Sequence, residues 1–342
     1  MSLVLTELSE AGIAMAADSS ISILKRGKVL SVNREYWKKL IKVDRIAAGI
    51  SYWGTIGLIT QDRFDEWLEH KIASGSFTDL LSFANYLAKE LNDAAGDKLM
   101  RQNQPAGIHV AGMHEWEDGK LRPTFYHVHN GHLHVELEIP NDESSIFVLS
   151  GTLSPPYTTQ TTYPTGSFLD TGSSVTPQLD PLLLQAIEQR SRATSRTVAQ
   201  TRKRFQVHPD LAPRLTLDDG TVEGLDPSTA DVKLKQPYMT HNGEYLLYKV
   251  VASTDSLSDL AFSNFKVQEP SGPLRLGDRV GILMRQMKLV IEKYRAHNLN
   301  RIIDGKPWVL GIKLDGNYIR DDDFKKREKQ QIPPMTPRKK KE

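Results

Sequence analysis

The sequence predicts an α+β fold on three observations. Short apolar stretches separated by turn residues open the chain, two consecutive amphipathic segments follow, and strand-like stretches then return with new hairpin signals. Elements grouped in runs of one type, rather than alternating strand by helix, mark this class.

In chain order, Leu3–Thr6 and Ile13–Ala16 read as a hairpin joined through Glu7 to Gly12. Lys28–Val32, Leu40–Val43 and Ile46–Ser51 add strands, with turn signals at Gly27 and Asp44-Arg45. Ile59–Ile72 carries Phe64, Trp67, Leu68 and Ile72 near the i, i+3, i+4 spacing of a helix face, and Phe77–Leu99 carries Leu80, Phe83, Ala84, Leu87 and Leu91 in the same way. Ser76, with Asp79 three residues on, is the start signal of the second helix. Strands resume over Ala106–Met113, Thr124–Val128, Leu133–Ile139 and Ile146–Leu149, separated by Asp118-Gly119, Asn130-Gly131 and Pro140-Asn141. Asn-Gly is the strongest short hairpin signal of these.

That hairpin reads His127-Val128-His129-Asn130-Gly131-His132-Leu133-His134. A two-residue turn would pair His129 with His132 and His127 with His134, putting four imidazoles on one face of the ribbon. The favoured reading is a solvent-facing side of an edge hairpin, and zinc held by His127, His129, His132 and His134 is the weaker alternative.

Residues 152–273 read as an inserted subdomain. A stretch rich in Thr, Pro, Ser and Gly is followed by one helix, Leu179–Arg204, and by hairpins that include Asn242-Gly243 before Tyr245–Val251. The basic end of that helix, Arg190–Arg204, is interleaved with Ser, Thr and Gln, so a solvated face is favoured over nucleic-acid binding. Gly277–Asn298 is again helical by spacing, and Trp308–Gly316 supplies a closing strand and turn. Residues 321–342 are charged, Pro-containing and end in Arg338-Lys339-Lys340-Lys341, which predicts a disordered basic tail.

Composition narrows the classes. With 342 residues, 39% of them hydrophobic and 25% charged, the chain has material for a large core, and a net charge of +2 points to no polyanionic partner. No run approaches the roughly 20 apolar residues of a spanning helix, and the N-terminus lacks the layout of a signal peptide. The absence of Cys excludes disulfides and thiolate metal sites and fits a cytoplasmic protein. No cofactor is expected, and nothing repeats at a fixed period.

The chemistry-bearing residues lie near the start. Ser2 follows Met1, and trimming of Met1 would leave a Ser with a free α-amine, whose ordinary pKa of about 7.7–8.0 leaves part of it neutral at pH 7. Such a residue can be both nucleophile and base. Gly12-Ile13-Ala14-Met15-Ala16-Ala17-Asp18-Ser19 and Lys38-Lys39-Leu40-Ile41-Lys42-Val43 resemble the opening segments of proteasome β-subunits and their bacterial relatives, members of the N-terminal nucleophile hydrolases. Ungapped counting back from Asp18, which matches the family's catalytic acid, places the nucleophile on Ser2, and Lys39 matches the catalytic lysine. About five extra residues between Asp18 and Lys39 fall in the turn near Lys25–Lys28, where an insertion costs little.

The resemblance covers Ser2–Gly151 and Leu276–Gly316 and implies a four-layer α/β/β/α sandwich, with a discontinuous domain over 2–151 and 274–320. It implies Ser150 as the serine supporting the nucleophile's amine, Trp53 or Gly54 as the oxyanion amide, and Ile21, Trp37, Ser51 and Thr55 as pocket walls. The family's acid after the last helix has Asp304 as its nearest candidate. The implied activity is peptidase action through an acyl-enzyme, on peptides or unfolded proteins, by a homo-oligomeric ring with no membrane association. A non-catalytic ring subunit of the same fold and a small-molecule amidase are the alternatives.

Overall fold

The computed structural model of the chain describes residues 2–25, 28–33, 37–56, 59–60, 63–96, 106–130, 132–137, 151–152, 195–200, 204–216, 220, 222–243, 274–296 and 303–319. Strands β1 (Leu3–Ser9), β2 (Gly12–Ala17), β3 (Ile21–Lys25), β4 (Lys28–Asn33), β5 (Leu40–Val43) and β6 (Ala48–Gly54) precede helices α1 (Phe64–Ser74) and α2 (Leu80–Ala95). Strands β7 (Ala106–Glu115), β8 (Leu121–His129), β9 (His132–Leu137), β10 (Gly151–Thr152), β11 (Ser195–Gln200), β12 (Gln206–Leu211), β13 (Leu215–Thr216) and β14 (Val222–Glu223) follow. Helix α3 (Pro227–Lys235), β15 (Tyr238–Gly243), helix α4 (Leu276–Ala296) and β16 (Trp308–Ile312) complete the described elements. This is a mixed α/β chain with several antiparallel sheets.

Two of those sheets organise the rest. One runs β15-β1-β2-β16 and the other β12-β8-β7-β6-β5. β1 and β2 are buried along their whole lengths, so their two faces must feed two cores. Alternation divides them: Leu3, Leu5, Ala14 and Ala16 join Val280, Leu283 and Met287 of α4 in one cluster, whereas Val4, Leu8, Ile13 and Met15 join Trp53, Ala111 and Phe125 of the five-stranded sheet in another. The opposite face of that sheet, with Ile50, Tyr52, Val110 and Val128, packs against Phe64 and Leu68 of α1 and Phe83 and Leu87 of α2.

Both early helices begin later than the spacing alone predicts. α1 starts at Phe64, whose ring meets Tyr52 of β6 edge-on at 4.9 Å. α2 starts at Leu80, and its cap is Asp79 rather than Ser76: the Asp79 carboxylate accepts the Ser82 N–H at 2.8 Å while Ser82 Oγ receives the Asp79 N–H at 3.1 Å. Phe77, read as the first helical residue, lies ahead of the cap and packs its ring at a tilt on Phe83, 4.5 Å between centroids.

The histidine hairpin does not form. β8 pairs with β7 and β12, and β9 pairs with β10 and β11, so His127 stands opposite His109 and His208. His127 and His129 are buried, because β8 lies inside its sheet with both faces covered, and their polarity marks an interior rather than a wet side. The Leu179–Arg204 helix is also corrected: residues 195–200 form β11. β12 and β15, both within the 152–273 stretch, each supply an edge strand to one of the two main sheets. Asn242-Gly243, read as a turn, ends β15 opposite Val4 and Leu3. Ser150, the Ile146–Leu149 and Tyr245–Val251 stretches and the 321–342 tail lie outside the described residues. No described helix is long and apolar enough to cross a membrane.

Candidate active site

The site is assembled from the ends of strands. Ser2 directly precedes β1, Asp18 directly follows β2, and Lys39 directly precedes β5. The β1–β2 pairing brings the first two together, since Val4 lies opposite Ala17. The Asp18 N–H then donates to the Leu3 carbonyl at 3.1 Å, and the Leu3 N–H returns to Asp18 Oδ1 at 2.9 Å. Lys39 arrives from the other sheet: its Nζ donates to Asp18 Oδ1 at 2.9 Å and to Ser2 Oγ at 3.0 Å. Three residues distant in sequence thus form one buried chain, with the ammonium touching both the carboxylate and the hydroxyl.

The electrostatics follow from burial. Lys39 and Asp18 have fully covered side chains, and removing such charges from water costs several kcal/mol each unless hydrogen bonds replace the water. Asp18 has its replacements: beyond Lys39 and Leu3, its Oδ2 accepts the Ser20 hydroxyl at 2.8 Å and the Ser20 N–H at 3.2 Å. Desolvation pulls the Lys39 ammonium below the ordinary lysine range, and the Asp18 charge and hydrogen bond oppose that pull.

Ser20 had not been singled out, although a serine two residues after an aspartate is a recurrent local hydrogen-bonding pattern. Its hydroxyl also receives the Asp304 N–H at 2.9 Å, and Ser19 Oγ receives the Lys306 N–H at 2.9 Å, so the α4–β16 connection grips the turn carrying Asp18. Asp304 itself pairs with Arg295 of α4, Nε to Oδ1 at 2.6 Å. Its contacts include Ser20 through the backbone and, through the carboxylate, Arg295 and the Gly305 N–H. The support expected of it toward Ser150 concerns a residue outside the described set.

Of the two oxyanion candidates, Gly54 is the one in the left-handed backbone region, at φ +86°. Trp53 is an ordinary sheet residue opposite Gly107. Its indole has room because Gly107 lacks a side chain: a Cβ there would lie 2.9 Å from the Trp53 ring and 2.8 Å from His129 Cβ. The indole N–H donates to His127 Nε2 at 3.0 Å, away from the ion pair. Of the pocket candidates, Ile21 and Trp37 are half-buried against the helix-side core, Ser51 is fully enclosed on the face shared with Trp53, and Thr55 is half-buried beyond the end of β6.

The buried imidazoles form a separate cluster. His109, His127, His129 and His208 follow one another at centroid separations of 5.1, 4.3 and 4.1 Å, the first pair edge-on, the second tilted and the third stacked. Thr6 Oγ1 meets His109 Nδ1 at 2.9 Å and Asn242 Oδ1 meets His109 Nε2 at 2.6 Å, which makes Nε2 the donor and Nδ1 the acceptor of a neutral ring. Burial brings His109 down to about 4 and His127 well below the usual histidine value. Among the described residues no group of three or more His, Cys, Asp or Glu is placed to hold a metal ion. One physical reason is that the Trp53 N–H occupies His127 Nε2.

Comparison with known proteins corrects the family reading. No protein-family model and no curated protein matches the sequence. Solved structures that the chain is similar to include Anbu (ancestral beta-subunit) from Yersinia bercovieri, at a TM-score of 0.39 and 11% identity over 98% of this chain and 99% of that one. An Anbu (Gly-1) mutant from Hyphomicrobium sp. strain MC1 gives a TM-score of 0.40 and 11% identity, over 98% of this chain and 100% of that one. Likeness at this level does not establish membership in the proteasome β-subunit family, and the assignment made from the short Ala-Ala-Asp-Ser and Lys-Lys motifs is withdrawn.

Proposed function

We propose that the protein hydrolyses amide bonds, those of peptides first among them, with Ser2 Oγ as nucleophile. The observation that carries this reading is the placement of a buried ammonium, Lys39 Nζ, 3.0 Å from Ser2 Oγ and 2.9 Å from Asp18 Oδ1. A buried lysine that merely neutralised an aspartate would need no serine hydroxyl beside it.

In the proposed reaction Ser2 Oγ attacks the amide carbonyl and passes its proton to the Ser2 α-amine, freed by processing of whatever precedes it. The ammonium of Lys39 stabilises the oxygen as it loses that proton, and Asp18 keeps the lysine charged and aimed. The tetrahedral oxygen is held by backbone N–H groups at the end of β6, where Gly54 takes the positive φ. The amine, now charged, protonates the leaving nitrogen. Water then releases the acyl group from Ser2 by the same route in reverse. The three hydrophobic clusters support the four-layer α/β/β/α reading that would surround this site, with Ser2, Asp18 and Lys39 at the rim between the two inner sheets.

The test combines intact mass with turnover. Material active on a peptide-amide library should carry Ser2 as its first residue, and a serine-directed acylating probe should add one equivalent to that residue. Active protein that retains Met1, or a Ser2→Ala variant with wild-type turnover, rules the mechanism out.

A further inference from the structure

Lys39 is not held by a sheet. Residues 37–39 lie between β4 and β5 without strand pairing, and among the described residues the backbone of this short span makes a small set of hydrogen bonds. The Trp37 N–H donates to the Ser19 carbonyl at 3.2 Å and the Trp308 indole N–H donates to the Trp37 carbonyl at 2.8 Å. Both contacts reach residue 37 and come from the side of the four-stranded sheet, and within the span the Lys39 N–H donates to the Trp37 carbonyl at 3.0 Å. Residue 38, next to the lysine, is held from the opposite side by α1. Asp65 Oδ2 accepts the Lys38 N–H at 3.0 Å, and one turn further on Glu69 pairs with Lys38 Nζ at 2.5 Å.

Asp65 is built for that contact. It sits in the first turn of α1, where a carboxylate is favoured by the exposed N–H groups of the helix start. It is 3% exposed, and Arg63 braces it through two bonds, Nε to Oδ1 at 3.1 Å and the terminal nitrogen to Oδ2 at 2.6 Å. The same guanidinium lies 5.1 Å from the Trp37 ring centre. α1 is in turn seated on β6 by the Phe64–Tyr52 edge contact. The carboxylate is thus rigid with respect to the five-stranded sheet, and a rigid acceptor on the residue 38 amide fixes the direction in which the next side chain leaves the chain. Lys38 goes out to Glu69 and solvent, and Lys39 goes in to Asp18 and Ser2.

We infer that Asp65 is a positioning residue for the candidate active site, acting on Lys39 through the backbone amide of Lys38 and so setting the ammonium at Ser2 Oγ. The inference rests on the reading of Lys39 as the group that serves Ser2, but its geometric content can be tested without hydrolysis. Its electrostatic effect is indirect: Asp65 touches neither the nucleophile nor the lysine ammonium.

The experiment follows the Lys39 side chain by NMR of protein carrying carbon-13 at lysine Cε, with the signal assigned by its loss in Lys39→Met. In the wild-type protein Lys39 should titrate below the ordinary lysine range, in keeping with its burial. In Asp65→Ala the midpoint should rise by about one pH unit as the side chain loses its enclosed position. Asp65→Asn keeps a side-chain oxygen to accept the Lys38 N–H and should titrate like wild type, although its ion pair with Arg63 is gone. Glu69→Gln, which alters only the exposed Lys38 contact, should also match wild type. In the hydrolysis assay Asp65→Ala should lose at least tenfold in kcat per probe-titrated site with KM within twofold, and Asp65→Asn should recover most of that loss. A folded Asp65→Ala protein whose Lys39 titrates with wild-type Lys39 overturns the inference, and Asp65→Ser serves if the alanine variant does not fold. If the wild-type protein hydrolyses nothing while Asp65→Ala still moves the Lys39 midpoint, the reaction proposed above fails and the positioning role stands.

Discussion

Two groups of titratable side chains cross the space between the same pair of sheets, and they are kept there by opposite means. Asp18 follows β2 of the four-stranded sheet and Lys39 precedes β5 of the five-stranded one, so their contact is a charged bridge. His109 on β7 meets Thr6 on β1 and Asn242 on β15, so that contact is a neutral bridge, continued by His127, His129 and His208. The charged bridge is tolerated because every oxygen of Asp18 is occupied by donors from Lys39, Leu3 and Ser20. At the neutral bridge His109 meets a hydroxyl and an amide rather than a carboxylate, and burial holds His109 and His127 uncharged. Interior polarity in this protein is thus decided by the supply of counter-groups, and only the bridge that has them carries charge at neutral pH.

The largest expected effect comes from unpairing the charged bridge. Lys39→Met leaves a buried carboxylate without its cation, and it should cost about 3–5 kcal/mol in urea unfolding along with all hydrolysis. Adding Asp18→Leu to it should restore most of that stability while hydrolysis stays absent. A double variant as unstable as the single would show that the bridge is not limited by its counter-groups, which breaks the comparison.

Acid should attack the other bridge. His109 titrates at about 4 in the folded protein against an ordinary 6.5, so between those values the unfolded chain binds more protons and stability falls as pH falls. Its contribution is present in full above about pH 6.5 and amounts to about 3 kcal/mol lost by pH 4. His127, held low as well, acts in the same direction, while Asp210, raised to about 6 by burial, acts against it. The clean measurement is therefore a difference: wild type minus His109→Asn, by urea midpoints at pH 7 and pH 4, should shrink by about 3 kcal/mol. A difference that does not change with pH would place the protonation elsewhere.

Two smaller changes sharpen the contrast. His127→Leu removes the acceptor of a buried indole N–H and should cost about 1–3 kcal/mol with little change in turnover. Gly107→Ala drives a methyl against Trp53 and the His129 Cβ and should cost about 1–3 kcal/mol by overpacking. Trp53→Phe should relieve part of that second cost, as a double-mutant cycle in unfolding free energy will show.

The charged bridge was legible in the sequence and the neutral one was not, for physical reasons. Asp18 and Lys39 were picked out by the resemblance of the Ala-Ala-Asp-Ser and Lys-Lys motifs and Ser2 by counting back from Asp18, and the structure brings the three together at the ends of β1, β2 and β5. The histidines were read from the strongest local turn signal, Asn130-Gly131, yet both edges of β8 are already taken, one by the preceding strand β7 and the other by β12, which lies far away in sequence. Asp79 prevailed over Ser76 as the helix cap because its carboxylate reaches the Ser82 amide. Asp65 was invisible to spacing, since the Lys38 amide is brought to it only by the completed fold, whereas Ser20 bonds Asp18 two residues away and needs the fold only for its contact with Asp304.

The paired lysines have a practical consequence. Lys38 has its side chain 46% exposed and Lys39 has none of its surface in water. An amine-reactive reagent therefore meets two lysine amines on consecutive residues, one open and one sealed, within a single proteolytic fragment. The ratio of their labelling does not depend on reagent strength, protein concentration or fragment recovery. It reports how often the interior around Ser2 admits a small molecule, and it can be followed before any compound that the protein acts upon is known.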